Sequence, residues 1–215
     1  MNKKIETFSC SGIELFSKEA GKRGIRGYFA KYNVYSHLRF GFFTIIDPSF
    51  FDGLFSRTDV DIHATYTHDT NRMLARYCPS RNIETLKISS DSTGAEFELI
   101  PADTQLARDC MADIEHGNIT GCSFGVLIEE DDWSGVKEGY PVRRLMKYAE
   151  LDHICLTPRP MFEDTTAEKF SLLASKQEEE YYLSMAKKAA PNTMHLQAIK
   201  NKIRLMEIDR NISAR

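Results

Sequence analysis

Residues 103–133 read DTQLARDCMADIEHGNITGCSFGVLIEEDDW and join a helix pattern directly to a strand pattern. Apolar side chains recur at helical spacing in the first half, at Leu106, Cys110, Met111 and Ile114. Asp103 suits the N-cap of this helix, and a glycine at position 117 suits the residue after its C-terminus. The second half, from position 119, is predicted to be extended. The predicted order is therefore helix, then strand.

The same stretch contains the pattern G-x-S-x-G at positions 121–125, which centres on Ser123. The nucleophile elbow of α/β-hydrolases has this pattern but needs a strand before the serine and a helix after it. Here the helix comes before the serine and the strand after it. The best histidine candidate for a general base, His68, also precedes the serine, whereas in α/β-hydrolases the histidine follows it. The α/β-hydrolase fold is therefore excluded, whereas a serine nucleophile is not. The alternative is a strand start in which two glycines relieve crowding and Ser123 bonds to the backbone.

The rest of the chain predicts a mainly β, α+β protein. Stretches such as IETFSCSGIELF, RGIRGYFAKYNVYS, VDIHATYTHD and ETLKISSDSTGAEFELI carry strand patterns with Gly or Ser turns between them. From about residue 170 the strand patterns stop and two amphipathic helix patterns follow, separated by Pro191. We expect a domain at residues 1–168 and a helical C-terminal extension at 169–215.

Composition limits the class of protein. The chain has 215 residues, 42% of them hydrophobic, and a formal net charge of -3, which argues against global disorder and against a polyanion-binding protein. The five cysteines form no C-x-x-C pair, so neither a zinc site nor a disulfide framework is expected. No apolar run approaches the length of a membrane span. We expect a soluble intracellular protein.

Two of the six histidines are candidates for a general base, the role that a serine nucleophile requires. His68 ends an alternating strand, where a polar side chain can project into a cleft. His153 lies within a later strand between Leu151 and Ile154, where a hydrogen-bonded structural role is the alternative. Surface roles suffice for the histidines at positions 37, 116 and 195. His63 lies five positions before His68, so the two are expected on opposite faces and not as a metal pair.

Five segments in order resemble the tailed-phage prohead protease family. They are GYFAKYN (27–33), IIDPSFFDGLF (45–55), THD (67–69), GCSFGV (121–126) and LTPRPMFEDT (156–165). The family is similar to the herpesvirus capsid maturation proteases in fold and mechanism. The resemblance implies a mostly antiparallel β-barrel surrounded by a few helices, with Ser123 as nucleophile and His68 as general base.

The third member of the implied triad is His153, where many phage members carry Glu. A histidine there matches the Ser-His-His arrangement of the herpesvirus enzymes, and either residue can accept the Nδ1–H of the base. Asp152 is expected on the opposite face of the strand and ranks below His153, and Asp69 is the other carboxylate to consider. Backbone N–H groups near Ser123, or an arginine at position 159 (Arg159), would stabilise the oxyanion.

The resemblance further implies a serine endopeptidase that cleaves scaffold segments from the phage capsid protein, and itself, during procapsid maturation. Its partners would be the capsid protein and scaffold protein, with a homodimer or higher oligomer possible, no nucleic acid and no membrane. No metal or organic cofactor is implied, and the protein would act inside the procapsid, in the host cytoplasm. The helical extension would bind scaffold, be removed by self-cleavage, or simply complete the core. The alternative from another class is a non-catalytic capsid-assembly or scaffolding protein that retains the fold.

Overall fold

The computed structural model describes residues 5–18, 22–158, 181, 184 and 185. Its strands are β1 (Glu6–Ser11), β2 (Ile13–Ser17), β3 (Arg23–Lys31), β4 (Phe43–Ile46), β5 (Ile62–Tyr66), β6 (Asp69–Cys78), β7 (Ile83–Glu84), β8 (Leu86–Ser90), β9 (Gly94–Leu99), β10 (Gly121–Lys137) and β11 (Tyr140–Thr157). The α-helix of this part of the chain is α1 (Gln105–Glu115), and short 3-10 turns occupy Leu54–Ser56 and Pro79–Arg81.

The strands form two sheets. One has the order β1-β10-β11-β5-β6-β7, with β4 also pairing with β11, and the other has the order β2-β3-β9-β8. β1 runs antiparallel to β10, and β5 runs antiparallel to β6, whereas β5 and β11 are parallel. This parallel pair places two segments that are distant in sequence side by side.

One hydrophobic cluster draws on both sheets and on α1. Phe124 of β10 stacks against Phe29 of β3 with ring centroids 5.8 Å apart, and against Phe8 and Phe51 at 5.6 Å each. All four rings are at most 4% exposed. The contacts with Phe29 and Phe51 are edge to face and the contact with Phe8 is tilted, and such aromatic pairs add to the free energy gained by burying the rings. The cluster fixes the core face of β10 and thereby the direction of its other face.

The helix forms where the apolar spacing predicted it, with one error at its start. Thr104, not Asp103, is the N-cap, and its side chain accepts a hydrogen bond from the Ala107 N–H at 3.2 Å. Thr104 has the extended backbone that a cap needs, whereas the Asp103 carboxylate pairs with Arg108. At the other end Gly117 has φ +74°, as its predicted place after the helix requires.

The chain divides into two compact units. Of the described residues, the first unit comprises those within 1–35, 45–131 and 145–164, and the second those within 36–44, 132–144 and 165–215. In the second unit Trp133 stacks on Phe42 with centroids 4.8 Å apart, and the guanidinium of the buried Arg143 lies 5.5 Å from the Trp133 ring. All site residues described below belong to the first unit.

The expected closed barrel is not found: the described strands form two separate sheets. The predominance of strands is confirmed. Most of the predicted helical extension lies outside the described residues, although Tyr181, Ser184 and Met185 are helical.

All five cysteines are free and buried. In the described part of the chain, no helix combines the length and apolar character needed to span a bilayer.

Candidate active site

His68 sits in the two-residue turn that joins β5 to β6. Thr67 and His68 have φ values of +58° and +59°, and Tyr66 pairs with Asp69 across the turn. Two successive left-handed residues make a type I′ hairpin turn, which normally contains Asn or Gly. A β-branched threonine is unfavourable in this conformation. The turn that presents His68 is therefore built from residues that are costly there, as is common at functional sites.

Two hydrogen bonds from this turn tie it to β11. The Thr67 N–H donates to the Leu156 carbonyl at 3.1 Å, and the His68 N–H donates to the Cys155 Sγ at 2.8 Å. Burial raises the pKa of the Cys155 thiol to about 11, so this sulfur remains a neutral thiol. The turn is thus held against the strand that carries His153.

His68 and His153 form a hydrogen-bonded pair. The His68 Nδ1 lies 2.9 Å from the His153 Nε2, and the two rings meet edge to face with centroids 5.2 Å apart. The sequence placed these histidines 85 positions apart, and the parallel pairing of β5 with β11 brings them together. Only 12% of the His153 side chain is exposed.

The Asp152 side chain reaches the same histidine, a contact that its expected place on the opposite face of the strand did not predict. Its Oδ2 lies 2.6 Å from the His153 Nδ1. Leu151 and Ile154, on either side of this pair, belong to the core cluster, whereas Asp152 and His153 are only partly buried. The acid and the base therefore meet at the edge of the core.

Ser123 lies on the face of β10 that is turned away from the aromatic cluster. The pairing of β1 with β10 is unbroken from residue 121 to residue 126, so Ser123 shares its face with Gly125. A Cβ atom on Gly125 would lie 2.4 Å from the His153 Cε1, which no folded protein tolerates without movement. The glycine therefore makes room for the His153 ring two residues from the serine. The sequence analysis expected the two glycines of the motif to relieve crowding, and at Gly125 the structure shows that the crowding group is the His153 ring.

The Ser123 hydroxyl is not hydrogen-bonded to His68. It donates to the Phe8 carbonyl on β1 at 2.9 Å, and the residue is 3% exposed. The structure thus brings His68 and His153 together and places Ser123 on the face that carries Gly125. It also matches the alternative expectation that the serine bonds to backbone. A rotation about χ1 would be needed to direct the oxygen elsewhere.

Two effects act on the pKa of His68. Protein atoms around the imidazole desolvate it, and the adjacent His153 opposes a second positive charge, so both lower the pKa of His68 below its usual 6.5. The neutral ring, which can accept a proton, is therefore favoured near neutral pH.

The other sequence candidates lie elsewhere. The Asp69 carboxylate accepts a hydrogen bond from the Asn71 N–H at 2.9 Å, two residues further along β6. Cys122 faces the core, and burial raises its pKa well above the usual value. His63 pairs with His153 in register, and its Nε2 lies 3.2 Å from the Asp61 Oδ1. Arg159 lies outside the described residues.

Within the described ranges, no three His, Cys, Asp or Glu side chains are grouped so as to hold a metal ion.

A comparison with protein families gives one match, which covers residues 11–181: the model of the caudovirus prohead serine protease. The match extends from the end of β1 past β11 and includes every site residue named above except Phe8. No curated protein and no solved structure matches the chain significantly.

Proposed function

The chain belongs to the caudovirus prohead serine protease family, and from that premise we propose that Ser123, His68 and His153 are its catalytic triad. Membership of this family implies serine protease activity and a role in capsid maturation. We further propose that the protein is an endopeptidase that removes scaffold segments from the capsid protein, and cleaves itself, inside the procapsid. Its partners would then be the capsid protein and the scaffold.

The observation that carries the triad is the contact of 2.9 Å between the His68 Nδ1 and the His153 Nε2. This is the contact that a general base makes with the residue that orients it. It leaves the His68 Nε2 available to a serine hydroxyl. Ser123 supports the assignment because it lies on the same face as Gly125, which contacts the His153 ring.

The chemistry begins when the Ser123 hydroxyl leaves the Phe8 carbonyl and turns to the His68 Nε2. As Oγ attacks the scissile carbonyl carbon, its proton passes to Nε2 and a tetrahedral oxyanion forms. His68 then gives that proton to the leaving amine, and the C–N bond breaks to leave an acyl-enzyme. Water attacks the acyl-enzyme by the same base catalysis and restores Ser123.

The buried state of Ser123 favours a slow enzyme. The hydroxyl must break one hydrogen bond and become accessible before it can attack, and a neutral histidine stabilises an imidazolium less than a carboxylate does. A protease that processes each capsid once needs few turnovers.

The test compares the wild-type chain with Ser123→Ala and Ser9→Ala. Ser9 is a matched control because it lies directly opposite Ser123 on β1 and is 4% exposed. Each protein is co-expressed with a capsid protein that carries its scaffold segment, and the products are followed by intact mass. A fluorophosphonate probe, followed by peptide mapping, identifies the reactive serine.

We expect cleavage of the capsid protein, and labelling at residue 123, in the wild type and in Ser9→Ala but not in Ser123→Ala. His68→Ala should abolish both signals, whereas the exposed His116→Ala should retain them. Equal cleavage by wild type and Ser123→Ala would rule out this serine. No cleavage and no labelling by any variant would favour the non-catalytic assembly protein.

A further inference from the structure

A carboxylate lies directly behind His153 as seen from His68. Asp152 Oδ2, His153 Nδ1, His153 Nε2 and His68 Nδ1 follow one another through contacts of 2.6 and 2.9 Å. The Asp152 side chain is 39% exposed, so its carboxylate stays hydrated at its outer side. Asp152 does not touch His68, so an effect of this carboxylate on His68 must pass through His153.

The number of protons available along these contacts determines the tautomers of both histidines. An ionised carboxylate only accepts hydrogen bonds, so the His153 Nδ1 must carry the proton that faces it. A neutral imidazole has one N–H, so the His153 Nε2 is then an acceptor. It can bond only to a protonated His68 Nδ1. The His68 Nε2 is left with its lone pair, which is the state that a general base needs.

We propose that Asp152 is a positioning residue, which fixes the tautomers of His153 and His68 although it contacts only His153. The inference rests on the proposed function, because it names what sets that site for catalysis.

The opposite tautomers show why the carboxylate matters. Without Asp152, His153 can place its proton on Nε2 and donate to the His68 Nδ1. The proton of His68 would then lie on Nε2, where it blocks acceptance of the serine proton. In a serine protease triad, the wrong histidine tautomer costs on the order of 10⁴-fold in kcat. Asp152 is one ring further from the base, so we expect a smaller loss, of about 10- to 100-fold.

The first test reads the tautomers directly and does not depend on proteolysis. Long-range ¹H–¹⁵N NMR spectra of ¹⁵N-histidine-labelled Ser123→Ala protein report which ring nitrogen of each histidine is protonated. We expect Nδ1–H for both His68 and His153, and loss of that preference when Asp152→Ala is added. Glu150→Gln is the matched control, because Glu150 is an exposed carboxylate two residues away on the same strand.

The second test uses activity and a compensating change. Asp152→Asn should lower kcat 10- to 100-fold with KM changed less than threefold. His153→Glu places a carboxylate directly against His68, so adding Asp152→Asn to it should cost less than twofold. A merely structural role for Asp152 would predict equal losses in both backgrounds.

The outcomes separate this inference from the proposed function. If His68 carries its proton on Nε2 in the Ser123→Ala protein, or if both histidines keep Nδ1–H when Asp152→Ala is added, the inference is overturned even though proteolysis stands. If no variant cleaves capsid protein but the tautomers behave as expected, the proposed function fails while the role of Asp152 in setting the tautomers stands.

Discussion

At the scale of single residues, Gly125 decides whether His153 can occupy its place beside the serine. The requirement is one of space and not of backbone freedom, because Gly125 is not among the residues with positive φ. Its Cα lies against the His153 ring, where a methyl group would come within 2.4 Å of Cε1 and 2.7 Å of Nδ1. Both the ring position and its contact with Asp152 depend on this gap.

Gly125→Ala should therefore displace the His153 ring and lower kcat by about 10²-fold, as misplacement of a catalytic group by about 1 Å commonly does. Steady-state kinetics on a capsid-derived peptide measures the loss. Gly135→Ala on the same strand is the control, because the added Cβ meets only the Val142 side chain, at 3.1 Å or more. Unchanged kcat in Gly125→Ala would show that His153 has no part in the reaction.

The lowered pKa of His68 predicts the pH dependence of activity. Its base form persists as pH falls below the usual 6.5, so the acidic limb of kcat/KM should have its midpoint below pH 6.5. His153→Glu replaces a histidine, whose positive charge opposes that of His68, with an anion and should move the midpoint upward. A wild-type midpoint above pH 6.5, or a downward shift in His153→Glu, would contradict the stated causes of the shift.

The same shift fixes the sign of the effect on stability. The folded state binds the His68 proton less tightly than the unfolded state does. The contribution of His68 to the free energy of unfolding is therefore complete above the unfolded pKa and is lost as pH falls through 6.5 toward the folded value.

At the scale of elements, the β5–β6 turn combines a strained backbone with a candidate catalytic side chain. Thr67 and His68 both take left-handed backbone, and neither is a residue that a type I′ turn prefers. Hydrogen bonds to Leu156 and Cys155 hold the turn in spite of that cost. The strain at position 67 is separable from the chemistry at position 68.

Thr67→Asn should relieve that strain and raise the free energy of unfolding by about 1 kcal/mol, since Asn tolerates left-handed backbone. For a chain of this size the melting temperature should rise by roughly 2–4 °C. Thr70→Asn is the control: it lies in β6 and is not among the residues with positive φ. A lower melting temperature in Thr67→Asn, or an equal rise in Thr70→Asn, would contradict this account, which differential scanning calorimetry can check.

At the scale of the whole molecule, β10 separates the core from the candidate site. Phe124 faces the aromatic cluster, and its neighbours Ser123 and Gly125 face the other way. Residues from both sheets meet in that cluster, so the position of the serine is set by packing that spans the first unit.

Phe124→Leu should therefore lower the free energy of unfolding by about 1–2 kcal/mol, through lost ring contacts and a small cavity. Urea unfolding measures this loss. At a temperature where both proteins are folded, fluorophosphonate labelling of Ser123 should change less than twofold, because the backbone of β10 is also held by its pairing with β1. A much larger fall in labelling would mean that the core and the site are not separable in this way.

Local pattern in the sequence determined most of the elements. The helix at 105–115, the strand at 62–66 with His68 beyond its end, and the long strand after Gly117 all follow from apolar period and end signals. These are short-range properties, set by neighbours within a few residues. The ordered segments also identified the family, which the match over residues 11–181 shows.

Only the tertiary structure decided which strands pair and what touches His153. Sheet closure depends on contacts between distant residues, so local patterns could not tell two sheets from a barrel. The contact between Asp152 and His153 was not predicted, because alternation places adjacent residues of a strand on opposite faces. The reason for Gly125, and the bond from Ser123 to the Phe8 carbonyl, depend on groups that neighbouring strands contribute.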